Sequence, residues 1–92
     1  MLIEVPTGPL KLSQVTELVR DEVKGATELY GPFHSAHEGY GVLLEEVDEL
    51  WTEVKVRQTA RDIEKMKKEA IQVAAMACRF VVDVCNEQTG RV

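Results

Sequence analysis

Glu46, Glu49 and Glu53 stand three and four residues apart in a stretch whose apolar residues repeat with helical spacing. On a wheel of about 100° per residue, the three carboxylates fall within about 60° of one another, on one flank of the apolar face. Like charges so placed repel. A second polar stripe, Glu69, Gln72, Arg79 and Asp83, borders the apolar face of a later helix. One Glu-x-x-Glu on a surface helix is ordinarily a solvated face, but two acidic stripes beside hydrophobic surfaces predict that the helices meet there. Carboxylates partly withdrawn from water are costly unless protons or a cation neutralise them. Oxygen-only ligands favour Mg²⁺ or Mn²⁺ over zinc or iron. A ferritin-like di-iron site needs Glu-x-x-His pairs, and neither stripe carries the histidine.

The elements that must position these groups are helices. Residues 1–12 contain Pro6, Gly8 and Pro9 and predict an irregular N-terminal arm. Ser13 offers a cap to a first helix over residues 13–30, striped by Val15, Leu18, Val19, Val23, Ala26, Leu29 and Tyr30 and stopped by Gly31-Pro32. Ser35 and Glu38 form a capping-box pattern that opens a second helix, running to about residue 57. Its inner face carries Tyr40, Leu43, Leu44, Val47, Leu50, Trp51 and Val54, with Trp51 expected in the core. A third helix is expected over residues 61–87, between Thr59 and Gly90. His34 and His37 precede and open the second helix and suit capping or packing better than metal binding.

From residue 70 to 85 only Gln72, Arg79 and Asp83 are polar. A membrane span needs about twenty mostly apolar residues and avoids Arg and Asp near its middle. A helix apolar nearly all round is instead buried on several sides. Two partner helices can hardly cover it, so the expected architecture is one all-α domain over residues 1–92, a bundle of about three main helices. Its core would be completed in a homodimer or homotetramer.

The composition fits a small folded domain. The chain has 92 residues, 45% of them hydrophobic, and a net charge of −5, which disfavours a nucleic acid polymer as partner. No positively charged start followed by a long apolar run marks a leader, so a cytoplasmic location is expected. Cys78 and Cys85 are seven residues apart, about 10.5 Å along one helix and beyond disulfide reach. They are expected to be inert core residues.

The run Leu43-Leu44-Glu45-Glu46-Val47-Asp48-Glu49-Leu50, with Lys68-Glu69-Ala70-Ile71-Gln72-Val73-Ala74 after a connector, resembles the MazG-like all-α nucleoside triphosphate pyrophosphohydrolases. Their pattern is Glu-Glu-x-x-Glu on one helix and Glu-x-x-Asp on the next. The resemblance covers about residues 34–87 and implies Mg²⁺-dependent cleavage of a nucleoside triphosphate to monophosphate and pyrophosphate. It makes Glu46, Glu49 and Glu69 metal ligands and Glu45 the base that activates water. Gln72 takes the place of the usual Asp, a neutral ligand for a charged one. Arg79, Lys55, Lys65 and Lys68 are candidates to neutralise phosphate, while Asp83 would serve another cation or bind Arg79. His34, Phe33 or Tyr40 would stack on a base. The second reading is a nucleotide-binding or oligomerisation module that keeps the fold and, through Gln72, has lost turnover.

Overall fold

The computed structural model describes residues 2–86. Three helices carry the fold: α1, Leu12–Tyr30; α2, Ala36–Val54; and α3, Ile63–Phe80. The described residues contain no strand, and no helix among them is long and apolar enough to cross a membrane. The expected third helix runs past residue 86, so its last residue lies outside the described ones.

Each boundary has a local cause. α1 starts one residue before Ser13, with the Lys11 N–H donating to Gln14 Oε1 at 2.8 Å. It ends at Gly31, whose φ of 76° is open to glycine and whose N–H returns to Thr27 O at 2.9 Å. Ser35 caps α2 by accepting from the Glu38 N–H at 3.0 Å. The Glu38 carboxylate does not complete the capping box. It accepts from the His34 N–H at 3.1 Å and pairs with His34 Nδ1 at 3.2 Å.

α2 stops at Val54 rather than near residue 57 because the Arg61 guanidinium closes its C-terminal end, donating to Val54 O at 2.7 and 3.0 Å. A 3₁₀ turn, Gln58–Ala60, follows. Asp62 then caps α3 by accepting from the Lys65 N–H at 3.1 Å, so the helix starts at Ile63 rather than at residue 61. Beyond Phe80 the helix widens into a π turn, Val81–Cys85.

α3 is central and packs on both α1 and α2. The core is small: Ala26, Phe33, Ala75, Met76 and Val84 are buried, with Val19, Val23, Ala36, Val42, Leu43 and Phe80 against them. Gly39 permits a close approach of α2 to its neighbours, since a Cβ there would lie 2.8 Å from the Phe80 ring and 3.1 Å from that of Phe33. α2 buries only this glycine completely, and Tyr40, Leu44, Val47 and Trp51 are exposed along its outer side. Trp51, expected in the core, is 58% exposed. Cys78 and Cys85 are likewise free and exposed, not core residues. Both differences have one cause: the outward sides of α2 and α3 find no cover within the described chain.

Candidate metal centre

The second and third helices bring Glu46, Glu49 and Glu69 together, with one carboxylate oxygen of each within 4.8 Å of the others. Glu46 and Glu49 are one turn apart on α2, and Glu69 reaches them from the second turn of α3. The three line a cavity of about 1190 Å³ whose walls also include Glu22, Val42, Gln72, Met76 and Arg79. Glu46 Oε2 and Gln72 Oε1 are buried there without a hydrogen-bond partner among the described residues. Two unpartnered oxygens on residues that line one acidic space have the donor chemistry that a hard cation completes.

Protons resist leaving this cluster. Burial, and then the charge of Glu49, push the Glu46 carboxyl up to about 7 from an ordinary 4.5. Glu69 is raised as well, first by burial and then by Glu49 beside it. Glu53, on the same flank of α2, is instead paired with Lys65 at 3.3 Å.

The remaining candidates divide. Gln72, Lys65 and Lys68 line the cavity with the cluster. Glu45 is exposed and lies outside the cavity lining, as does Lys55, which sits at the C-terminal end of α2. Arg79 lines the cavity but is 3% exposed and already engaged. It donates to Gly31 O at 2.6 Å and to Met76 Sδ at 3.8 Å, and it stacks over the Phe33 ring at 4.3 Å. Asp83 stands 3.8 Å from Arg79 Nε and accepts from the Phe33 N–H at 3.0 Å. Together, Arg79 and Asp83 bind the end of α3 to the α1–α2 turn. Phe33 is buried in that lock, whereas His34 and Tyr40 are exposed.

Sequence reasoning missed Glu22, 1% exposed in the cavity wall. A signal existed: Glu22 lies four residues after Leu18 and four before Ala26, inside the apolar stripe of α1. The N-terminal arm was also not foreseen as part of the cavity, yet residues 2–5 line it. No protein-family model, curated protein or solved structure matches this chain.

Proposed function

We propose that the protein is a Mg²⁺-dependent nucleoside triphosphate pyrophosphohydrolase. The observation that carries this reading is the Glu46, Glu49 and Glu69 cluster, in which carboxylates from two helices converge beside unpartnered Glu46 and Gln72 oxygens. Glu46, Glu49 and Glu69 would hold Mg²⁺ or Mn²⁺, with the Gln72 carbonyl as a neutral fourth ligand. Bound there, the cation supplies charge neutralisation for phosphate oxygens and lowers the pKa of a coordinated water.

The chain itself contributes position and charge. Lys65 and Lys68, in the wall beside the carboxylates, attract the polyphosphate and take up the charge of departing pyrophosphate. Val42 and Met76 give the nucleoside an apolar wall. Arg79 acts by holding the α1–α2 turn rather than by binding phosphate: its two terminal nitrogens donate to Gly31 O and Met76 Sδ, and its Nε, without a hydrogen-bond partner among the described residues, faces Asp83 at 3.8 Å. Asp83 belongs to the same lock. The proton of the attacking water passes to a carboxylate. Glu45 holds that role in the resembling enzymes, and for it to act here its side chain must turn into the cavity.

That position of Glu45, together with Gln72, supports the second reading, a domain that binds nucleotide without turnover. The exposed apolar residues of α2 and the π turn support a further part of the proposal, a homodimer or homotetramer in which a second copy covers Trp51, Val81 and Val82. The deciding experiment measures pyrophosphate release from a panel of ribo- and deoxyribonucleoside triphosphates, with and without Mg²⁺. Mg²⁺-dependent release that Glu49→Gln abolishes is expected. Nucleotide binding without release establishes the second reading, and neither binding nor release overturns both.

A further inference from the structure

Residues 2–5 form one wall of the acidic cavity, and their two ends are held very differently. At the Gly8 end the arm is pinned to the first turns of α3. Lys67 Nζ donates to Gly8 O at 2.6 Å and to Pro6 O at 3.2 Å, and Glu64 accepts from the Gly8 N–H at 3.3 Å while pairing with Lys67 at 2.8 Å. Gly8 adopts a φ of 82° between Pro6 and Pro9, a bend that a side chain would strain. At the far end a single described polar contact closes the span, the Leu2 N–H donating to Glu22 Oε1 at 2.9 Å. Leu2 is seated against Gly25, where a Cβ would come within 3.4 Å of Leu2 Cδ1, yet Leu2 remains 45% exposed.

The geometry points to residues 2–5 as a strap that hinges at Gly8 and latches on Glu22, gating the cavity that holds the carboxylate cluster. Closed is the resting state, because lifting the strap exposes Val5, which is 9% exposed, as well as breaking the latch. With the strap closed, a deeply buried carboxylate receives a charge-assisted hydrogen bond from the Leu2 N–H. With the strap open, that bond is lost, but water reaches Glu22 and solvates it, so the carboxylate is never stranded. Opening leaves the hinge contacts of Lys67 and Glu64 in place. Its consequence for turnover, that ligand enters and product leaves when the strap lifts, rests on the pyrophosphohydrolase reading; the motion itself does not.

The fold supplies its own test. A Cβ built on Gly25 lies 3.7 Å from that of Leu2, within the range a disulfide spans. Leu2→Cys with Gly25→Cys, in the full chain carrying Cys78→Ser and Cys85→Ser, is oxidised with glutathione disulfide, which leaves as two glutathione thiols, and followed by mass spectrometry, with circular dichroism confirming the helices. Rapid, near-complete cross-linking is expected. Adding Glu22→Ala should slow it about tenfold, the effect of losing one hydrogen bond to a charged group, and Glu22→Gln, which keeps an acceptor, should restore much of the rate. No cross-link in a folded protein, or an equal rate with Glu22→Ala, overturns the strap. Pyrophosphate release from a Mg²⁺-nucleoside triphosphate should then fall at least several-fold in the oxidised form and recover on reduction, and equal rates in the two forms overturn the gating. Absence of release in both forms counts against the pyrophosphohydrolase reading alone, because the cross-linking rates decide the strap without substrate.

Discussion

At the scale of single residues, the acidic cluster makes stability depend on pH. Because Glu46 is pushed up to about 7 from 4.5, the folded protein keeps a proton between those values that the unfolded chain has released. Metal-free protein should therefore lose thermal stability as pH rises from about 4.5 to about 7, with Glu69 contributing in the same direction. Glu46→Gln should flatten this slope, and Mg²⁺ should weaken it by taking the proton's place; melting curves across that pH range check both. A second expectation concerns Gln72, whose buried Oε1 lacks a partner among the described residues. Gln72→Asp adds a carboxylate next to three others, so the metal-free protein should melt lower while Mg²⁺ binding tightens by about tenfold, or about 1.4 kcal/mol. Titration calorimetry with Mg²⁺ measures it, and unchanged affinity would remove residue 72 from the ligand set. The cluster was legible because Glu46, Glu49 and Glu69 follow helical spacing on two neighbouring elements. Asp83 binding Arg79 was one of the two roles expected for it, and the two stand 3.8 Å apart, but the tie of Arg79 to the α1–α2 turn and the burial of Glu22 were not legible, since each depends on a distant segment.

At the scale of elements, the apolar repeats placed all three helices, and the turn chemistry of Gly31-Pro32 and Ser35 placed one junction correctly. The α2–α3 connection was harder to read because its boundaries are set by tertiary reach. Arg61 bends back seven residues to the Val54 carbonyl, which ends α2 early, and Asp62 then caps α3. Gly39 marks a tight approach between elements. Gly39→Ala forces the Phe80 and Phe33 rings to shift, an overpacking penalty of about 1–3 kcal/mol, offset by up to about 1 kcal/mol of gained helix propensity. A net loss of up to about 2 kcal/mol is expected in chemical denaturation, and a stabilised variant would mean that α2 can move away from α3 freely.

At the scale of the whole molecule, a bundle of 48 × 25 × 21 Å with a small core leaves Tyr40, Leu44, Val47, Trp51, Val81 and Val82 exposed. The excess of apolar surface was readable in the sequence, but which side chains would carry it was not, because an amphipathic stripe does not say whether its partner lies in the same chain. Light scattering at micromolar concentration should find at least a dimer, and Trp51→Glu should shift it toward monomer with the helices intact. A native protein that is monomeric and cooperatively folded would leave the second copy without a role. The π turn, finally, bears on how such a chain changes through descent. The Asn86 N–H reaches back five residues to Val81 O, so the turn holds roughly one residue more than an α turn. Removing a residue ahead of Asp83 in this turn would rotate Asp83 and everything beyond it by about 100° and carry its carboxylate away from the Phe33 N–H. An ancestor or descendant one residue shorter here would need its acid at a neighbouring position to keep the lock, so insertion and substitution in this turn must travel together.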